Sequence, residues 1–283
     1  MKTYALYLLM LCFSVMGCQK DIGESDAELA AKNDKDGKYN KERYLPVMIV
    51  DSSLDNSLVD TIRISYHDNN GNISCVTSSR RNGVIKFHYN SDNELHRVDY
   101  YDKGYYLITN KEGKLAKCSF FRTNRPSIPY FDLIFNSTEN DTIVVLERFY
   151  DATEFRPRYF LYEDINNAKA LARSYKDDAG WGYYYDFISN DKNYWAKDVK
   201  SKELLSYISI SELMDIFPTK NNIISIQQVD FVLDKRASYS EIQYNDANYP
   251  IFLKSSMVAT LDASGPQYYN DQRKIYYQKI VSN

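Results

Sequence analysis

Residues 61–79 read TIRISYHDNNGNISCVTSS, and their pattern decides the fold class. Ile62, Ile64 and Tyr66 alternate with Arg63, Ser65 and His67, so one face is apolar and the other polar, the period of a half-buried strand. His67-Asp68-Asn69-Asn70-Gly71 turns the chain, because Asn and Gly both tolerate the positive φ of a tight hairpin. Ile73, Cys75 and Thr77 then run back. The same grammar continues to Phe121. Ile85, Phe87 and Tyr89 go out, Asn90–Asn93 turns, and His96, Val98 and Tyr100 return. Lys103-Gly104 and Lys111-Glu112-Gly113 turn the next two strands.

Register follows from keeping one face apolar. Setting Phe87 against Val98 and Ile85 against Tyr100 does so, and it places His88 opposite Arg97. The alternative that sets His88 opposite His96 would put Phe87 against Arg97, so a histidine metal pair is not expected. The expected strands of Cys75 and Cys118 lie four apart, ~19 Å at the spacing of neighbouring strands. Both thiols are therefore expected to be unpaired unless the sheet closes and brings them together.

A hydrophobic residue followed after five positions by the return strand recurs at Tyr66→Gly71, Tyr89→Glu94, Phe135→Asn140 and Tyr244→Tyr249, with irregular spacing between copies. Beyond the first hairpins, strand patterns appear at Tyr130–Phe135, Thr142–Phe149 and Arg158–Tyr162, and later at Ile223–Leu233, Tyr239–Tyr244, Ile251–Leu261 and Lys274–Val281. Between them Asp164 is placed to cap a helix over Ala168–Tyr175. Leu204, Leu205 and Ile208 mark a helical turn, and Ser209-x-x-Glu212 resembles a capping box opening Leu213–Phe217. The expected class is all-β, mainly an antiparallel meander as a curved sheet or closed soluble barrel, with one or two short helices around 164–217.

The chain has 283 residues, 44% hydrophobic and 26% charged, enough to bury a core. A net charge of -3 argues against nucleic acid as a partner, since no basic stripe is present to neutralise phosphates. Its 27 tyrosines suit a large two-faced sheet, ring half-buried and hydroxyl wet. At the N-terminus, Lys2 precedes the apolar run Tyr4–Met16, too short to span a bilayer, which ends in Val15-Met16-Gly17-Cys18. This resembles a bacterial lipobox with Cys18 as the lipidated residue, and Gln19 in place of Asp favours the outer membrane. Residues 1–17 read as a lipoprotein signal peptide and 18–43 as a flexible tether, mixing acids and bases with few large apolar side chains. Residues 44–283 read as a single β domain, anchored to the membrane through lipid on Cys18 and monomeric.

Cys18, the Tyr-(Asp/Asn)-x-x-(Gly/Asn) hairpins, Phe217-Pro-Thr-Lys-Asn-Asn222 and Ile242-Gln-Tyr-Asn-Asp-Ala-Asn-Tyr-Pro250 together resemble Bacteroidota-type lipoproteins of a domain-of-unknown-function family described as porin-like in fold. The early hairpins also resemble tyrosine-aspartate repeats. The resemblance implies an antiparallel barrel or strongly curved sheet, and it implies no activity, cofactor or functional residue.

Chemistry is sparse. The chain has no CxxC, HExxH, GxSxG or phosphate loop, and no cofactor is expected. The segment holding Trp181, Tyr183, Tyr185, Tyr194 and Trp195 with Asp186 offers rings to stack on sugar faces and a carboxylate to accept hydroxyl hydrogen bonds. These residues are the candidate ligand site, although the same aromatics would serve equally to seal helices onto the sheet. The expected role is a non-enzymatic binding or accessory module, with a glycan or small ligand. A barrel carrier for an apolar or lipid ligand and a carboxylate-dependent hydrolase are the alternatives. A membrane-spanning barrel is not expected, because Arg63, Lys86, His88, Arg97 and Asp99 occupy the face opposite the apolar one.

Overall fold

The structure, a computed structural model, describes residues 42–55, 57–111, 114–137, 142–150, 155–164, 167–174, 182–209, 219–229, 233–261 and 265–281. The signal segment, Cys18, most of the tether, Trp181 and Leu213–Phe217 lie outside them. Residues 43–280 form one compact unit.

Sixteen strands make up that unit: β1 (Glu42–Ser53), β2 (Val59–Tyr66), β3 (Ile73–Ser78), β4 (Arg81–Tyr89), β5 (Leu95–Tyr100), β6 (Gly104–Lys111), β7 (Lys114–Arg122) and β8 (Phe131–Ser137) form the first half. β9 (Thr142–Phe149), β10 (Phe155–Asp164), β11 (Asn167–Ser174), β12 (Gly182–Asn193), β13 (Asn221–Val229), β14 (Leu233–Tyr244), β15 (Pro250–Leu261) and β16 (Gly265–Val281) form the second. Among the described residues one helix, α1 (Lys202–Ser209), interrupts them. Each strand pairs with the next in sequence, and β16 returns to β1, closing a barrel. Closure leaves no unpaired edge.

The apolar face of the alternating strands points inward. Ile62, Ile64, Val76, Ile85, Phe87 and Val98 belong to one buried cluster. Phe87 pairs with Val98, Ile85 with Tyr100 and His88 with Arg97, the register expected from the hydrophobic pattern. His88 bonds to Asp99 across 2.8 Å on the outer wall, and its ring centroid lies 6.5 Å from that of His96. Arg63, Lys86 and Arg97 project outward from mid-strand, so the described outer wall of these strands lacks the apolar band that lipid contact requires. The strands described run from 6 to 17 residues, so their length alone does not exclude a membrane barrel. Cys75 in β3 and Cys118 in β7 are both free thiols, and closure leaves them on strands that do not neighbour each other.

The five-residue recurrence turns out to be one loop built three times at the same end of the barrel. Asp68 accepts hydrogen bonds from the amides of Asn70 and Asn72, Asn90 from those of Asp92 and Glu94, and Asn245 from those of Ala247 and Tyr249. In each loop the residue three positions on has positive φ: Gly71 at 89°, Asn93 at 61° and Asn248 at 62°. A bulge precedes each loop, at Ser65/Tyr66, His88/Tyr89 and Gln243/Tyr244. The acceptor is an Asx side chain because it is short enough to reach its own backbone two residues on. The fourth copy, at Phe135→Asn140, runs into residues outside those described.

This end of the barrel is capped by the segment after β12. Tyr194, Trp195, Ala196, Val199, Leu204 and Leu205 are all buried in the same cluster as the strand interiors. α1 fulfils the expected helical turn at Leu204 and Leu205. The expected helix over Ala168–Tyr175 is instead strand β11, paired on one side with β10 and on the other with β12. Its Ala-Lys-Ala-Leu-Ala-Arg composition favours helix locally, but β10 and β12 would both be left with unpaired backbone groups, and tertiary demand outweighs propensity.

Asp68 makes this end pH-sensitive. Burial acts to raise its carboxyl, but hydrogen bonds from the Asn93 and Asn72 side chains and the Asn70 and Asn72 amides outweigh that and hold it down to about 2. A folded value below the unfolded one stabilises the fold at neutral pH, and the contribution is lost as pH falls from the ordinary value of 3.8 through the folded one. The melting-temperature cost of Asp68→Ala is therefore expected to hold from pH 7 down to about pH 5 and to shrink as pH falls from there toward 2, with an Asp68 NMR titration midpoint near 2. An unchanged cost across that range would contradict the assignment.

Candidate ligand-binding cleft

The end opposite the cap is where lumen-facing residues turn polar. β1 and β2 pair Ile49 with Ile62 in the core, and two residues further toward this end the same face pairs Asp51 with Asp60. On the other side of the seam, β15 and β16 pair Leu253 with Arg273, Ser255 with Asp271 and Met257 with Tyr269. Tyr239 of β14 pairs with Ser255 and so shares this inward face. Asp51, Asp60, Tyr239, Leu253, Ser255, Tyr269, Asp271 and Arg273, with Ser53, Leu58 and Arg80, line a cleft of ≈ 350 Å³.

Placing Asp51 directly opposite Asp60 is unfavourable, since like charges on facing residues repel. Arg273 offsets it by binding Asp51 with both arms, Nε to Oδ1 at 2.6 Å and Nη2 to Oδ2 at 2.9 Å. Asp60 accepts hydrogen bonds from the hydroxyls of Ser78, at 2.8 and 2.9 Å, and Ser79, at 3.1 Å. Burial pushes the Asp271 carboxyl above the ordinary carboxylate value, and the charges of Asp55 and Asp51 add to the push, while Ser53 and Arg273 oppose it. Asp271 therefore takes up a proton at a higher pH than a solvated aspartate would, and in that form can donate as well as accept. The Tyr269 hydroxyl is committed to Gln267 at 2.5 Å, which fixes the ring of a residue that stays 37% exposed. The result is a concave site with two phenol rings, carboxyls in different environments and a clamped guanidinium.

The aromatic segment singled out in the sequence is not one cluster. Tyr183, Tyr185 and Asp186 lie in β12 toward the end that holds the cleft, and their side chains are outside the described ones. Tyr194 and Trp195 follow the opposite end of that twelve-residue strand, ~26–40 Å away by strand rise. They are only 2% and 3% exposed, so neither ring presents a face to a ligand. Among the described residues no group of His, Cys, Asp or Glu is arranged to hold a metal ion.

At the capped end a larger cavity, ≈ 510 Å³, is lined by Asn70, Asn72, Asn93, Glu94, Lys200 and Leu204 among others. Its amides are already spent, with Asn70, Asn72 and Asn93 all bonded to the Asp68 carboxylate and Asn110 to the Leu95 carbonyl. The open-end cleft adds the partly exposed Tyr269 and a carboxyl, Asp271, that holds its proton more tightly than a solvated aspartate, and for that reason it is the better candidate.

No family model matches the chain, and no curated protein matches it. Among solved structures it is similar to a porin-like protein from Bacteroides uniformis ATCC 8492, at 12% identity over 82% of this chain and 96% of that one, with a TM-score of 0.54. A porin-like protein from Bacteroides vulgatus ATCC 8482 is similar at 11% identity over 83% of this chain and 99% of that one, with a TM-score of 0.51. At these identities the likeness is one of fold. The porin-like β fold implied by the sequence resemblance is the fold found.

Proposed function

We propose that the protein is an outer-membrane lipoprotein, anchored through Cys18, whose barrel serves as a non-enzymatic binding module for a carbohydrate held in the open-end cleft. The observation that carries this reading is the convergence of Tyr239 and Tyr269 with Asp51, Asp60, Asp271 and Arg273 on one lumen face. Rings stack on the apolar faces of sugars, and a few fixed polar groups orient the hydroxyls. Asp51 is neutralised by Arg273 and Asp60 is held by hydroxyls, so neither is poised as a free base, which supports binding rather than hydrolysis. A lipid cargo fits less well, because the inward-facing apolar side chains pack against one another as a continuous core and the lumen-facing cleft is polar.

The test is a titration of the soluble domain with a panel of neutral oligosaccharides by calorimetry. Tyr269→Ala and Asp271→Asn are each expected to weaken the best ligand at least ~10-fold, about 1.4 kcal/mol, with little change in melting temperature. Binding that both variants leave untouched, or no binding across the panel, would end the carbohydrate reading. Radiolabelled fatty acid appearing on the full chain and lost in Cys18→Ser tests the anchor separately.

A further inference from the structure

We propose that a second cleft at the open rim, between β7 and β9, binds the oxyanion of an acidic sugar, a carboxylate or sulfate carried on a saccharide ring. The cleft encloses ≈ 350 Å³ and is lined by Arg122, Arg125, Asn124, Pro129, Tyr130 and Tyr150. It shares no residue with the lumen cleft and does not rest on that site's reading.

The two arginines are the informative feature. Arg122 lies flat over the Tyr130 ring, its Cζ 3.4 Å from the centroid. Stacking engages the π face of the guanidinium and leaves its in-plane N–H edge free, the edge that meets an oxyanion with two parallel hydrogen bonds. The Arg125 amide donates to the Arg122 carbonyl at 3.0 Å, and this turn brings both arginines to the lining of the one cleft. Among the described residues neither arginine is bridged to a carboxylate, although the chain as a whole carries an excess of acids. Elsewhere on this barrel an arginine near acids is used: Arg97 meets Asp99 and Arg273 meets Asp51.

The surrounding loop is held in place before any ligand arrives. Thr123 donates from its hydroxyl to the Asp102 carbonyl at 2.5 Å, and the Tyr105 hydroxyl donates to the Pro126 carbonyl at 2.9 Å. The far wall is fixed from beneath. Asp132, 3% exposed, is bound by Lys117 at 2.9 Å and the Ser119 hydroxyl at 2.5 Å, and it accepts the Tyr150 hydroxyl at 3.3 Å. Preorganised donors lose little freedom on binding, which favours affinity. Two tyrosines lining the cleft with two arginines suit a ring bearing one anionic group. The absence of any extended basic stripe argues against a nucleic-acid backbone.

The experiment is calorimetry and amide NMR on the soluble domain with a galacturonic-acid trimer, a sulfated disaccharide, a neutral galactose trimer, sodium sulfate, sodium phosphate and a short DNA duplex. Expected is binding of an acidic saccharide that weakens with salt, shifts amides in 122–130, and falls at least 10-fold in Arg122→Gln/Arg125→Gln. Lys86→Gln/Lys274→Gln, which removes two charges from the outer wall, is expected to leave it unchanged. Equal binding of the neutral trimer overturns the proposal. So does sulfate, phosphate or DNA binding as tightly as the acidic saccharide, equal losses in both double variants, or retention of binding in the arginine variant. Loss of neutral-sugar binding in Tyr269→Ala with acidic-sugar binding intact would show that the two sites are separate.

Discussion

Gly71→Ala is expected to lower the melting temperature by roughly 6–12 °C and to loosen the cap. Gly71 has φ of 89°, a conformation that costs an L side chain ~1–2 kcal/mol. A Cβ there would also run into the backbone carbonyl oxygen of Asp198, which cannot swing aside as a side-chain tip could. Asp198 is itself fixed, its carboxylate accepting the Tyr249 hydroxyl at 2.6 Å and the Tyr44 amide at 3.1 Å. The Lys200 amide donates to the Gly71 carbonyl at 3.0 Å, so relieving the collision means breaking the seam between cap and hairpin. Together these amount to ~3 kcal/mol, and a domain of this size moves by ~2–4 °C per kcal/mol. Gly83→Ala separates the two causes. Its φ is 104°, but the added carbon would meet only the Tyr101 ring, at 3.2 Å. Gly83→Ala is expected to cost about the conformational term alone. A Gly71→Ala protein no less stable than Gly83→Ala would show that the cap does not press on the hairpin.

That glycine illustrates what the sequence could and could not disclose. Asn70-Gly71 is legible as a turn, since the residues that accept positive φ are few. The reason no other residue could stand there is not legible, because it lies in the approach of Asp198, far along the chain. Register was readable wherever one face alternates cleanly, as at Phe87, Val98 and His88. It was not readable in β12, where Tyr183, Tyr184 and Tyr185 run consecutively and give no period, and the segment looked like a seam between helix and sheet. β11 misled in the opposite sense, its alanines and leucine favouring helix while its neighbours required a strand. The candidate cleft was hidden for a third reason. Asp51 and Arg273 are 222 residues apart, and only the return of β16 to β1 brings them together. No local pattern marks which two strands close a barrel. The sequence offers tyrosines and aspartates as candidate ligand contacts, but it holds no signal for which of them closure brings to one face.

Trp195→Ala should then separate scaffold from site most sharply. Trp195 is 3% exposed, packed against Tyr194 with ring centroids 5.5 Å apart, and part of the cluster that joins the cap to the strand interiors. Removing such a side chain leaves a cavity that a fixed barrel cannot collapse, and large aromatic-to-alanine changes of this kind cost ~3–5 kcal/mol. The expected fall in melting temperature is roughly 6–20 °C. Below that lowered transition, affinity for an oligosaccharide bound at the open end is expected to stay within ~2-fold of the parent, a change of about 0.4 kcal/mol. Tyr269→Ala should give the converse, near-parent stability with binding lost, because its ring is partly exposed and touches the cleft rather than the core. The crossed pattern discriminates between the two placements of the site. If Trp195→Ala abolishes binding while its folded fraction is intact, and Tyr269→Ala does not, the ligand belongs at the capped end and the assignment of the open-end cleft is wrong.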